Sequence, residues 1–124
     1  MRAALLTASL AALAACGGSS SSSMSSADCT AFTDLTATTA VINFGGTLGN
    51  RYDPRCAKVK VSQSITFDGD FSVHPLSQTS GAAVIPHTAS GTTLTFSIPT
   101  AGTFGYQCDV HHASGMTGAL QVVP

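Results

Sequence analysis

The sequence has no tryptophan and no glutamate, and only 9% of its 124 residues are charged, against the quarter usual in soluble domains. Lysine plus arginine number 5 and the acidic residues, all aspartate, number 6, giving a formal net charge of -1. A chain so sparsely and evenly charged has no basic stripe to hold a phosphate backbone, which argues against a nucleic-acid partner. Beyond residue 26 no stretch sustains a helical apolar period, so a helical bundle is not expected. There is no internal repeat and no substrate-pocket signature, so substrate turnover is not expected and the chain is read as no enzyme. The length allows a single domain. What the chain does have, for its size, is four cysteines and four histidines. Two disulfides, a metal site or a mixture would each account for the cysteines, and composition alone does not choose.

Met1-Arg2 followed by the apolar run Ala3 to Ala15 has the layout of a secretory signal peptide. The run is too short to span a bilayer as a permanent helix. Its end, Leu13-Ala14-Ala15-Cys16, resembles the lipobox of bacterial lipoproteins. That resemblance implies cleavage before Cys16 and lipidation of its sulfur and new amino group, which would anchor the protein to a membrane. Gly17 in the following position implies, by the same resemblance, the outer membrane of a Gram-negative cell. Gly17-Gly18 and the serine tract from Ser19 to Ser26, broken only by Met24, cannot bury apolar surface and read as a flexible tether. The expected division is a signal peptide over 1–15, a lipid-anchored serine-rich linker over 16–27 and a folded domain over 28–124, in the periplasm or elsewhere in the cell envelope. Export places the domain where a disulfide survives.

The folded part is punctuated by Gly, Pro, Asn and Asp, with short β-branched and aromatic runs between them. Val59, Val61, Ile65 and Phe67 alternate with Lys58, Lys60, Ser62, Ser64 and Thr66, as a strand with one wet face does, and Gln63 marks a bend. Leu94, Phe96 and Ile98 alternate in the same way, as do Phe104, Tyr106 and Cys108. Leu120 and Val122 predict a closing strand, Val41 to Phe44 an early one, and Pro99 to Gly102 a turn. Thr33 to Thr39 is read as a turn of helix, against the poor helix propensity of threonine. Short strands separated by turn signals predict an all-β fold, an antiparallel β-sandwich.

The segment from Gly102 to Met116 (GTFGYQCDVHHASGM) carries the chemistry. A strand delivers Cys108, and a tight loop then presents His111 and Met116 with the spacing Cys-x2-His-x4-Met. Upstream, His74-Pro75 supplies a second histidine between a predicted strand and a turn. One thiolate, two imidazoles and one thioether form the ligand set of a blue-copper site. The thiolate donates charge to Cu(II), imidazole suits both oxidation states, and the soft thioether favours Cu(I). Zinc would also occupy such ligands.

Here the chain resembles the cupredoxins, the plastocyanin/azurin family of blue-copper proteins, with a ligand loop of the plastocyanin spacing. The resemblance covers residues 38–124. It implies a Greek-key β-sandwich, one type 1 copper ion held by His74, Cys108, His111 and Met116, and one-electron transfer between transient redox partner proteins by a monomer. The alternative function is copper storage or delivery. Azurin-like members also tie the N-terminal segment to an early strand by a disulfide, which implies the pair Cys29 and Cys56. Two free thiols exported beside copper would be chemically hazardous, and closing this loop contributes about 3–4 kcal/mol in the chain-entropy model.

Pro75 departs from the family pattern, which has asparagine after the first histidine and uses that residue's N–H as a donor to the copper-bound sulfur. Proline has no N–H, so the donor is expected from Val110 instead. An apolar surface formed from Val110, Ala113, Gly115, Met116 and Leu76 is expected around His111. His87 and His112 are expected to be solvated. Arg51, Arg55, Lys58 and Lys60 fall within ten residues, which fits either a docking patch for an acidic partner or the solvated face of a strand.

Overall fold

The computed structural model describes residues 29–124. The signal peptide over 1–15, the lipidation site Cys16 and the linker over 16–27 lie outside the described residues. Nine strands follow in order: β1 (Thr33–Asp34), β2 (Ala40–Phe44), β3 (Tyr52–Asp53), β4 (Cys56–Lys60), β5 (Ile65–Asp68), β6 (Leu76–Ser80), β7 (Thr93–Phe96), β8 (Gly102–Cys108) and β9 (Thr117–Val123). They form a five-stranded sheet, β1-β4-β9-β8-β6, and a four-stranded sheet, β3-β2-β5-β7. Alternation sets the faces. Ala40, Ile42 and Phe44 of β2, Ile65 and Phe67 of β5, Ala57 and Val59 of β4, and Phe104, Tyr106 and Cys108 of β8 all point into one core between the sheets.

The sheets are mixed, not purely antiparallel as expected. β1/β4, β4/β9 and β2/β5 pair in parallel, and the other ladders run antiparallel. The reason is that the chain repeatedly crosses from one sheet to the other. Strands that become neighbours after such a crossing need not reverse direction, as hairpin partners must.

The largest departure lies at 59–67. This run is two strands, β4 and β5, and they belong to different sheets. The chain turns between them at Ser62, whose φ is +63°. Gln63 holds the corner. Its side-chain oxygen accepts the Lys60 N–H at 2.8 Å, and its amide nitrogen donates to the carbonyls of Leu35 and Thr38 at 2.8 and 3.0 Å. Thr33 to Thr39 is not helical either. It gives the two residues of β1 and then a turn in which the Asp34 carboxylate accepts the Thr36 N–H and hydroxyl at 2.9 and 2.7 Å.

Cys29 and Cys56 form a disulfide with Cα atoms 5.9 Å apart, across a separation of 27 residues. Replacing both by alanine should lower unfolding stability by about 3–4 kcal/mol in urea; a loss below about 1 kcal/mol would mean the bridge does little to restrict the unfolded chain.

The basic residues are dispersed among separate tasks. Lys58 sits 3.7 Å from the Asp34 carboxylate, and Arg55 donates to the Thr117 carbonyl at 3.0 Å and hydroxyl at 3.2 Å. Arg51 and Lys60 are exposed.

Candidate metal centre

β8 ends at Cys108 with the side chain fully buried, because Phe104, Tyr106 and Cys108 alternate onto the core face. The ladder between β6 and β8 sets Leu76 opposite Cys108, which brings the turn before β6 alongside it. That turn is built by Asp70. Its carboxylate accepts the N–H and hydroxyl of Ser72, and its carbonyl accepts the His74 N–H at 3.0 Å. His74 is thereby buried, at 6% exposure. Its ring meets Phe44 edge-on at 6.1 Å and lies against Gly45. A Cβ on Gly45 would stand 2.9 Å from His74 Cδ2, and the φ of +68° at Gly45 further favours glycine there.

The loop after β8 presents the second imidazole. The Met116 carbonyl accepts the Cys108 N–H at 3.0 Å, and the His111 carbonyl accepts the N–H groups of Ser114 and Met116 at 3.0 and 3.2 Å. A single 3₁₀ turn, His112–Ser114, ends at Gly115 in the left-handed conformation. Met116 is fully buried, its main chain tied to both Cys108 and His111.

Three donor atoms converge. His74 Nδ1 and His111 Nδ1 lie 3.1 Å apart, and Cys108 Sγ lies 3.7 Å from the first and 3.6 Å from the second. A point equidistant from all three lies about 2 Å from each, matching metal–nitrogen bonds and a little short of metal–sulfur bonds. One thiolate and two imidazoles in a triangle are the donor chemistry of a trigonal copper site, so these residues fit the ion the sequence implies. Burial first, and then the nearby His111, push the pKa of His74 below its ordinary value, against the pull of Asp70. The imidazole is thus kept neutral, as a metal ligand must be.

The sulfur's surroundings differ from expectation. Val110 makes no hydrogen bond to Cys108 Sγ among the described residues, and the residue itself is 62% exposed. Pro75 has no N–H to give, and the Asp109 N–H is committed to the Pro75 carbonyl at 2.9 Å. The apolar surface also differs. Leu76 and Met116 are fully buried, so Val110, Ala113 and Val73, the last at 50% exposure, supply the exposed apolar atoms beside the ligand residues. His87 and His112 are exposed. His87 Nε2 lies 3.2 Å from Asp109 Oδ2, and His112 Nδ1 donates to the Asp109 carbonyl at 3.0 Å.

Gly45, Ser77, Asp109 and Tyr52 were not anticipated from the sequence; the only signals were the Gly45-Gly46 pair and the position of Asp109 directly after Cys108. Tyr52 packs under the site, 4.8 Å from Tyr106 and 5.6 Å from Phe44 between ring centroids. Its buried hydroxyl has no hydrogen-bond partner among the described residues. Burial, and then the charges of Cys108 and Asp109, push its pKa far up. Tyr52→Phe should raise unfolding stability by about 1 kcal/mol, since an unsatisfied buried hydroxyl is removed. A drop in the urea midpoint would show that the hydroxyl has a partner after all.

No protein-family model matches the chain, and no curated protein matches it. Solved structures do. The oxidised plastocyanin of the fern Dryopteris crassirhizoma superposes with a TM-score of 0.52 at 20% identity, over 68% of this chain and 100% of its own. Dithionite-reduced auracyanin from the photosynthetic bacterium Roseiflexus castenholzii gives 0.50 at 22% identity, over 72% of this chain and 99% of that one. A copper-containing nitrite reductase from Thermus scotoductus gives 0.52 at 18% identity, over 69% of this chain but only 22% of the enzyme. Identities of this size speak to architecture: the chain has the cupredoxin fold.

Proposed function

We propose that the protein is a type 1 copper protein that passes single electrons between redox partners. His74, Cys108 and His111 would hold the ion, with the soft thioether of Met116 as a fourth, weaker donor. The observation that carries this reading is the convergence of two Nδ1 atoms and one Sγ within 3.1–3.7 Å of one another. Copper bound there would alternate between Cu(II) and Cu(I). The chain's part is to hold the donors in place: β8 fixes Cys108, Phe44 and Gly45 fix the His74 ring, and the closed loop fixes His111. A ligand frame tied down in this way needs little rearrangement between oxidation states. His111 is only partly buried, and the exposed apolar atoms of Val73 and Val110 suit brief, weakly charged encounters.

The test is an absorption spectrum of the Cu(II)-loaded protein together with a redox titration. Intense visible absorption from thiolate-to-copper charge transfer and a reversible couple are expected. A colourless protein that releases copper to a chelator would instead support storage or delivery. Pro75→Asn should raise the reduction potential by returning an N–H donor near the thiolate, since added hydrogen bonds stabilise the electron-rich sulfur of the reduced state. An unchanged or lower potential in the titration would count against that account. The lipobox-like Leu13-Ala14-Ala15-Cys16 supports attachment of the domain to a cell-envelope membrane through Cys16, and loss of fatty-acid labelling in Cys16→Ala would test it.

A further inference from the structure

Asp109 directly follows Cys108, and each of its polar groups is engaged. Its N–H donates to the Pro75 carbonyl at 2.9 Å, and its carbonyl accepts from His112 Nδ1 at 3.0 Å. Its carboxylate oxygen Oδ2 accepts the Ser77 hydroxyl at 2.9 Å and lies 3.2 Å from His87 Nε2. Ser77 is the second residue of β6, three residues after His74. Leu76 opposite Cys108 is the last register pair of the β6/β8 ladder on the metal side, so the contacts of Asp109 continue the ladder beyond its end.

We propose that Asp109 is a positioning residue of the metal centre, tying the segment that carries Cys108 and His111 to the segment that carries His74, chiefly through Ser77 and secondarily through His87. The proposal rests on the copper reading and deepens it. Proline at 75 leaves the His74 side of this junction without a backbone donor, and the tie is supplied from the Cys108 side instead. The donor triangle spans only 3.1–3.7 Å, so a small slip of one segment past the other would spoil its fit to an ion. Ser77 is the stronger arm because its bond is partly buried. The His87 side chain is 63% exposed and the Asp109 side chain 36%, so their ion pair is a minor contributor.

The test compares wild type, Ser77→Ala, Asp109→Ala, the double variant and Asp109→Asn, reading Cu(II) affinity by chelator competition and the ratio of visible absorption bands. Each alanine change should weaken Cu(II) by about 10-fold and alter the band ratio, as loss of a partner that orients a metal ligand does. The double variant should be no weaker than Asp109→Ala alone, since both remove the same tie. Asp109→Asn keeps an oxygen acceptor for Ser77 and should recover most of the loss. Wild-type affinity and band ratio in the alanine variants, or losses that simply add, would overturn the proposal. Should the alanine variants at 77 and 109 not fold, Asp109→Glu decides: it keeps the charge but moves the acceptor by one methylene, so weaker Cu(II) binding with the same spectral change supports the tie, and wild-type behaviour overturns it. A wild-type protein with no thiolate absorption would overturn the copper reading itself, which is a separate outcome.

Discussion

Cys108→Ser should leave the β-sandwich folded and abolish the visible charge-transfer absorption. Serine has nearly the shape of cysteine, and the site is fully buried at the end of β8 with its N–H bonded to the Met116 carbonyl, so the backbone has no reason to move. The hydroxyl can still hydrogen-bond to the imidazoles in place of the thiol. What it cannot do is ionise near neutral pH and donate electron density to copper, as a thiolate does. Removing a partner that merely orients a ligand costs 10–100-fold in metal affinity, so removing a ligand itself should cost more than about 100-fold. Circular dichroism of the metal-free protein and Cu(II) titration measure the two halves of the expectation. An intense visible band surviving in the serine variant would remove Cys108 from the ligand set.

Gly118→Ala should be the most damaging single change to the fold. Gly118 is buried in β9, opposite Tyr106 in the β8/β9 ladder. A Cβ there would overlap the Tyr106 ring and come within 2.5 Å of the Arg55 carbonyl. Tyr106 has nowhere to go: it is fully buried, with Tyr52 and Phe67 packed edge-on at 4.8 and 5.0 Å. Its hydroxyl also donates to that same Arg55 carbonyl at 2.9 Å, a bond the methyl group would break. Overpacking of a core costs about 1–3 kcal/mol and a stranded polar group about as much, giving about 4 kcal/mol together. For a domain of this size that corresponds to a fall in Tm of roughly 20 °C, readable by calorimetry. A variant that melts within a few degrees of wild type would mean that Tyr106 can move aside, contrary to its packing.

How far the sequence can be read follows from where each interaction is encoded. Cys108, His111 and Met116 stand out because a single short loop must present them, so their spacing is local. The strands of β8 and β9 are legible for a similar reason, since alternation of Phe104, Tyr106 and Cys108 states which face is dry. Gln63 shows the limit. The run from Val59 to Phe67 alternates well enough for one strand, and what breaks it is an amide reaching Leu35 and Thr38, partners 28 and 25 residues away. β6 has a single buried apolar residue, Leu76, and so carries no alternation to read. Its edge is covered by the following loop, where the Gln78 side chain accepts the N–H groups of Val84 and Ile85 at 2.9 and 2.8 Å. The tie from Asp109 to Ser77 joins residues 32 apart and exists only once the ladder has formed. The position of Val110 alone points to it as the sulfur's donor, but position does not say which way a loop amide faces.

The disulfide also determines how the domain bears force. Cys29 is bonded to Cys56, the first residue of β4, which lies inside the five-stranded sheet between β1 and β9. Tension arriving at residue 29 therefore enters β4 through a covalent bond and bypasses β1, the two-residue edge strand that would otherwise peel away first. β4 runs parallel to β9 through five register pairs, from Cys56 opposite Ala119 to Lys60 opposite Val123. A pull along that ladder loads its hydrogen bonds in shear, all together, where an edge strand would unzip one bond at a time. Resistance to forced unfolding is a matter of unfolding rate, and with the bridge intact that rate is governed by the interior of the sheet. Reduction of Cys29–Cys56 would shift the point of failure to β1, so the domain would lose mechanical resistance as well as thermal stability.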